Sequence, residues 1–278
     1  MDKMTVFKAQ QWAFSFIKDH GKDPSAADLL LQGQMNWSTT EMLMNYQTQL
    51  SAEQLERFFT NVKLYCQDHP AQYLLGKANF FGLEFKVSEA TLIPRPETEE
   101  LVEWILEAEP KTSLRVLDIG TGTGAIGLSL KHERPAWEVT LSDISSQALA
   151  VAKENKQALK LEATLIESDL FQNITGKFDV IVSNPPYIAE SEAELMDKSV
   201  LEHEPKTALF APDEGLYLYK KLAEKLSQHL TEHGKLYLEI GFQQGPSVVE
   251  IFSQAYPTAK VELRQDITGH DRMVKVSF

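Results

Sequence analysis

Apolar residues recur at spacings of three and four from the start of the chain. Val6, Ala9, Trp12, Ala13, Phe16 and Ile17 share one face of a helix that Gly21 can close. Asp23-Pro24-Ser25 opens a second helix, with Leu29 and Leu30 as core candidates. Ser38 with Glu41, and Ser51 with Gln54, each form a capping box. The hydroxyl accepts from one orphan N–H, and the longer side chain reaches back to another. The second box leads into Leu55, Phe58, Phe59, Val62 and Tyr65. Residues 1–75 are therefore expected to form a small helical domain. The period then shortens. Phe81, Leu83, Phe85 and Val87 alternate, with Gly82 inside the run, which predicts a strand or hairpin arm. The prolines of Leu92-Ile93-Pro94-Arg95-Pro96 exclude helix there. Helical spacing resumes at Glu97 and passes through Leu101, Val102, Ile105 and Leu106.

From residue 114 strands alternate with helices. The pattern predicts strands at 115–117, 138–141, 163–166, 178–183 and 235–240. It predicts helices at 125–132, 146–159, 216–230 and 245–255. Two late strands, 261–263 and 273–276, are separated by a short turn and suggest an antiparallel pair. Such alternation implies an α/β domain, a parallel sheet covered on both faces.

Composition narrows the setting. The 278 residues are 43% apolar and 24% charged, enough to bury a core and too apolar for a disordered chain. The single cysteine, Cys66, offers neither an intramolecular disulfide nor a cysteine zinc framework, and no metal is expected. No run approaches about 18 apolar residues, and the first residues lack the apolar core of a signal peptide. A cytoplasmic location follows as the expectation. The net charge is −13, and residues 86–278, with 20 basic and 31 acidic residues, carry most of it. That balance argues against a protein that neutralises nucleic-acid phosphates.

Asp118-Ile119-Gly120-Thr121-Gly122-Thr123-Gly124 joins the first of these strands to a helix. Alternate glycines let backbone approach a ligand at the free N–H groups of a helix start. One frame, Gly122-Thr123-Gly124-Ala125-Ile126-Gly127, satisfies the dinucleotide pattern, with Asp143 about 20 residues on as the ribose acid. The other frame resembles motif I of the class I S-adenosylmethionine methyltransferases. There the first acid, Asp118, would steer the loop and Asp143 would bind both ribose hydroxyls. The loop alone leaves both frames open. Asp169, just past the third strand, would meet the adenine amino group in the methyltransferase frame.

Asn184-Pro185-Pro186-Tyr187 follows the fourth strand. Ligands of open α/β sheets bind beyond the carboxyl ends of the strands, and the glycine loop, Asp143, Asp169 and Asn184 all fall there. A planar NH₂ group has two donors and needs two acceptors. The Asn184 side-chain oxygen and the Pro185 carbonyl can supply them, stiffened by Pro186, while the Tyr187 ring packs on the planar group. The acceptor proton becomes acidic as the N–C bond forms, so orientation carries most of the work.

Further stretches recur in order: Ala71-Gln72-Tyr73-Leu74-Leu75-Gly76, Leu92 to Glu99, Glu204-Pro205 with Ala208-Leu209, and Thr268-Gly269-His270-Asp271-Arg272. With the glycine loop and Asn184–Tyr187 they make the chain resemble the peptide chain release factor N5-glutamine methyltransferases over residues 70–278. The resemblance implies a class I Rossmann-like domain with a seven-stranded, mostly parallel sheet. It implies a helical substrate-recognition domain at 1–75, a β-hairpin linker at 76–96 and the catalytic domain at 97–278. It implies S-adenosylmethionine as cofactor, held by Gly120, Thr121, Gly122, Thr123, Gly124, Asp143, Asp169, Leu170 and Asn184. Catalysis would fall to Asn184, Pro185, Pro186 and Tyr187. The substrate would be the glutamine of a Gly-Gly-Gln tip in a class 1 release factor, with no nucleic acid or membrane as partner and the enzyme a monomer. Leu170 stands where some relatives place tryptophan. His270 and Arg272 are read as structural turn residues. Glutamine methylation of a ribosomal protein, adenine-N6 methylation of nucleic acid, nicotinamide-dependent redox chemistry and a non-catalytic cofactor-binding or scaffold role are the rivals.

Overall fold

The computed structural model describes residues 4–278. Two units emerge: Met1–Lys77 with Asp197–His203, and Ala78–Met196 with Glu204–Phe278.

In the first unit α1 (Val6–Asp19), α2 (Ala26–Met35), α3 (Thr39–Met44), α4 (Ala52–Tyr65) and α5 (Ala71–Leu75) surround a core that includes Val6, Ala13, Ile17, Leu30, Leu31, Phe58 and Val62. Both capping boxes form. Ser38 Oγ accepts from the Glu41 N–H at 3.2 Å, and Glu41 Oε2 accepts from the Ser38 N–H at 2.8 Å. Ser51 and Gln54 repeat this at 3.1 and 2.8 Å. Each box meets two of the four N–H groups that a helix start leaves unpaired.

The second unit begins at Ala78, within the first strand of a hairpin, β1 (Lys77–Phe80) and β2 (Leu83–Lys86). The alternation from Phe81 to Val87 is therefore not one strand. Phe81 and Gly82, at φ 48° and 74°, are its two-residue turn. Consecutive positive φ values give a turn whose twist suits a hairpin. Glu99 Oε1 takes the Phe81 N–H at 3.0 Å.

After α6 (Pro96–Ala108) come β3 (Arg115–Ile119), α7 (Ala125–Glu133), β4 (Glu138–Asp143), α8 (Ser146–Ala158), β5 (Thr164–Glu167) and β6 (Phe178–Ser183). The short helices α9 (Lys198–His203) and α10 (Lys206–Leu209) precede α11 (Tyr217–His229), β7 (Leu230–Glu239), α12 (Gly245–Ala255), β8 (Lys260–Gln265) and β9 (Asp271–Ser277). Strand β7 starts five residues before the pattern predicted. The polar stretch Thr231 to Lys235 hides its first turn of extended chain.

The seven strands lie in the order β5-β4-β3-β6-β7-β9-β8. The pairs from β5 to β7 are parallel, and β9 runs antiparallel to both neighbours. Two cores flank the sheet. One gathers Leu101, Ile105, Leu128, Leu130, Trp137 and the hairpin's Phe80 and Phe85. The other gathers Tyr219, Leu222, Leu226, Val248 and Phe252. Burying both sheet faces requires nearly continuous apolar strands such as Val180, Ile181 and Val182. The chain builds outward from β3 to β5 and then returns to place β6 on the other side of β3. The carboxyl ends of these two strands mark the switch point where such sheets open a crevice.

Candidate active site

A cavity of about 360 Å³ opens at this rim. Its lining includes Gly120, Thr121, Gly122, Thr123, Asp143, Asp169, Leu170, Asn184, Pro185 and Pro186. Gly124, the residue capping α7, and Tyr187 do not line it.

The loop's shape comes from below. Asp118 is fully buried in β3, and its Oδ2 accepts from Thr121 Oγ1 at 2.6 Å and the Gly127 N–H at 3.0 Å. Asp118 thus ties the loop to the first turn of α7 and stands behind the cavity wall. Burial pushes its carboxyl up to about 6. A Cβ on Gly127 would lie 2.3 Å from Leu141 Cδ2, so the glycine permits the close approach of α7 to β4. Gly120 and Gly122 have φ of 69° and 55°, and a Cβ on either would meet open space. Their bare backbone is a cradle on the cavity.

Asp143 ends β4. Its Oδ2 accepts from the Gly122 N–H and its Oδ1 from the Ser145 N–H, each at 2.9 Å. Burial raises its pKa, and these donors oppose the rise. Both oxygens keep acceptor capacity for a pair of hydroxyls. Asp169 is exposed, while Leu170 is half-buried at φ 47°. Ile144, 63% exposed, also lines the cavity, so two aliphatic side chains are available to a planar ring. The pattern overlooked Ile144, although an apolar residue directly after a strand-ending acid is itself a signal.

Asn184 Nδ2 donates to Thr98 Oγ1 at 3.3 Å, and Thr98 Oγ1 donates to Glu239 Oε2 at 2.6 Å. The Tyr187 hydroxyl reaches the other Glu239 oxygen at 3.3 Å. Tyr187 therefore hangs its polar end on the sheet. Burial raises its phenol, and the nearby Glu239 charge adds to the rise. Glu239, 2% exposed at the end of β7, is pushed up to about 7 by burial, with Thr98 and Arg272 pulling the other way. Sequence reasoning missed Thr98 and Glu239 as site residues. An acid ending an apolar strand was the available sign.

Arg95 lines the cavity, and Glu204, 4% exposed, anchors it. Arg95 Nη2 donates to Glu204 Oε1, and the Ile93 N–H donates to Oε2 at 3.3 Å. This fastens the proline loop to the start of the Glu204-Pro205 segment. The last motif is a turn. Asp266 accepts from Thr268, His270 and Arg272. Burial raises the Asp266 carboxyl, but these donors together hold it well below the usual range. Among the described residues, no cluster of His, Cys, Asp and Glu could hold a metal, and no helix is long and apolar enough to cross a membrane.

The Methyltransferase small domain family matches residues 97–209, and the PrmC N-terminal domain family matches residues 8–76. The Release factor glutamine methyltransferase of Enterococcus faecalis is 46% identical over 96% of this chain and 97% of its own. The protein of that name from Lactococcus lactis is 51% identical over 76% of this chain and 78% of its own. The one from Bacillus subtilis is 37% identical over 97% of this chain and 96% of its own. Among solved structures, a methyltransferase from Pyrococcus furiosus superposes with a TM-score of 0.55 at 17% identity. It spans 82% of this chain and 98% of the other. The 16S rRNA N2 G1207 methyltransferase of T. thermophilus gives 0.53 at 17% identity, over 72% of this chain and 49% of the other. These two likenesses speak to the fold alone.

Proposed function

The chain belongs to the release factor glutamine methyltransferases, and from that premise we propose that its cavity brings together S-adenosylmethionine and the side-chain amide of a release-factor glutamine. The bound cofactor supplies an electrophilic methyl group on a sulfonium. The bare Gly120 and Gly122 backbone fits its amino-acid end, the Asp143 carboxylate fits a ribose diol, and Ile144 with Leu170 fits an adenine face. Asp169, at the exposed edge, is the acceptor for the adenine amino group.

The observation that carries the reading is the state of Asn184. Its NH₂ group is turned toward Thr98, which leaves its oxygen for the substrate. A glutamine NH₂ has two donors. The Asn184 oxygen and the Pro185 carbonyl take both and aim the nitrogen. The bound cofactor would supply the methyl group to this nitrogen and leave as the neutral thioether, while the acidified N–H proton would pass to solvent. No strong base is needed before attack, so the chain's contribution is position and complementarity to charge developing on nitrogen. Tyr187 stands behind this pair as a support.

A Gly-Gly-Gln tip offers little surface, so selectivity needs a second contact. The helical residues 1–75 are the proposed docking body. Phe7, Leu29, Leu43 and Met44 are 42%, 43%, 52% and 81% exposed there, which supports the assignment. The acidic charge of residues 86–278 favours a protein substrate over nucleic acid, and a monomer in the cytoplasm fits such a substrate.

Incubation of the purified chain with S-adenosylmethionine and a class 1 release factor tests the proposal. One methyl group should appear on the Gly-Gly-Gln peptide, on the amide nitrogen, by mass spectrometry and NMR. Calorimetry should show binding of S-adenosylhomocysteine and none of NAD. An unmodified tip with all components active would refute the substrate assignment.

A further inference from the structure

The Asn184 amide has two faces of similar shape and opposite hydrogen-bonding sense. Turned one way it presents an acceptor to the substrate. Turned the other way it presents NH₂ to NH₂, and the substrate nitrogen finds no partner. Something in the chain has to choose.

Thr98 sits in the first turn of α6 and is 4% exposed. It has one proton to donate. Glu239, when ionised, has none and can accept alone. The 2.6 Å bond between them therefore runs from Thr98 to Glu239, and its direction is fixed by charge. What remains on Thr98 Oγ1 is a lone pair facing Asn184. A lone pair can be met by Nδ2 and not by Oδ1, and Nδ2 lies there at 3.3 Å.

We infer that Thr98 and Glu239 are positioning residues that set the face of the Asn184 amide, holding its oxygen toward the substrate nitrogen. The inference rests on the proposed methyl transfer to a glutamine amide and adds the source of its orientation. Glu239 stands off the cavity wall, and Thr98, which lines it, meets Asn184 there. Thr98 acts through Asn184, and Glu239 acts through Thr98.

The arrangement has a built-in condition. A protonated Glu239 can donate to Thr98, which frees the Thr98 proton for Asn184 Oδ1 and allows the amide to turn. Several groups face Glu239. Arg272 on β9 favours its charge, as do the Thr98 and Tyr187 hydroxyls, while Glu97 on α6 opposes it. The Tyr219 hydroxyl on α11 is engaged by the Glu239 backbone carbonyl at 2.9 Å. Turnover thus requires the carboxylate, and it rises with pH as that group ionises.

Thr98→Val keeps the branched shape and removes the hydroxyl, and Thr98→Ser restores the hydroxyl alone. With a Gly-Gly-Gln peptide, T98V should lose roughly tenfold or more in kcat, with S-adenosylhomocysteine affinity held within about twofold. T98S should recover most of the loss. The wild-type kcat should climb through neutral pH, and E239Q, which cannot titrate, should lose that climb. The Asn184 side-chain NH₂ protons, followed by NMR without substrate, should exchange faster in T98V than in the wild type. Near-normal kcat in T98V would overturn the inference, as would equal loss in T98S or an unchanged pH profile in E239Q. If T98V does not fold, T98S and E239Q decide the matter by the same readings. Failure of the wild type to methylate the peptide would count against the substrate, whereas the NMR exchange still reports on the amide.

Discussion

Arg95 and Glu204 are joined within the second unit by an ion pair whose acid is 1% and whose base is 34% exposed at the side chain. The same Glu204 takes the Ile93 N–H, so one buried carboxylate holds both the side chain and the backbone of the proline loop. Removing the cation leaves that carboxylate buried with less compensation. Arg95→Met should cost about 2 kcal/mol in urea unfolding, below the range for fully buried pairs because water already reaches Arg95. The KM for a Gly-Gly-Gln peptide should rise while S-adenosylhomocysteine affinity stays nearly constant. A variant with unchanged stability and KM would show that the loop holds without the pair.

Asp143 closes the cradle as well as facing the ribose position, since it takes the Gly122 N–H. Asp143→Ala should lower S-adenosylhomocysteine affinity by about tenfold or more, from the loss of charge-assisted bonds worth about 1.5–3 kcal/mol each. Calorimetry on protein that still melts cooperatively measures this. Unaltered affinity would move the ribose site elsewhere.

Asn184→Ala should depress kcat by roughly a hundredfold while cofactor affinity falls far less, because the amide acts on the substrate nitrogen. Asn184→Asp keeps an acceptor but adds charge near a sulfonium. Cofactor binding should hold or tighten while turnover drops. Steady-state kinetics beside cofactor titration separates these effects. Normal turnover in Asn184→Ala would end the orientation mechanism.

Burial holds Asp118 at about 6 in the folded chain, above the unfolded value of about 3.9. The folded state therefore keeps its proton longer. The stabilising contribution is full below the unfolded value and is lost as pH rises through about 6. Asp118→Asn removes this titration. Between about pH 4 and pH 7 the wild type should lose about 3 kcal/mol relative to the variant, read from denaturant curves at each pH. A difference that does not change with pH would contradict the buried-acid account.

Met44 and Leu43 are exposed on α3. If the helices dock the release factor, Met44→Glu should raise KM for the whole factor about fivefold and leave KM for a short peptide unchanged. Equal effects on both substrates would argue against docking there.

Local chemistry made much of this fold legible. Ser38 with Glu41 announced a helix start, and three alternate glycines announced a strand-to-helix turn, which lies at the cavity. Asp143, which ends β4, and Asn184, just past β6, could be placed because a parallel sheet puts such residues on one rim. Other features depend on pairings that no local pattern records. Thr98 and Glu239 are 141 residues apart, and Arg95 and Glu204 are 109 apart. Phe81 reads as strand by its apolar character, yet Gly82 after it makes a two-residue turn the tighter solution. Tyr187 reads as a ring to pack on a planar group, and the bond from its hydroxyl to Glu239, 52 residues on, is one more pairing without a local sign.

The segment Asp197–His203 has an implication for how the chain is made. The helical unit that begins the chain includes these residues, and the His203 ring lies 4.1 Å from that of His69. During synthesis the first five helices emerge long before that segment does. They must wait, incomplete, while the first four strands of the large sheet leave the ribosome. The amino-terminal helices are thus finished by a late arrival, and a nascent chain arrested before His203 should expose its helical part to protease.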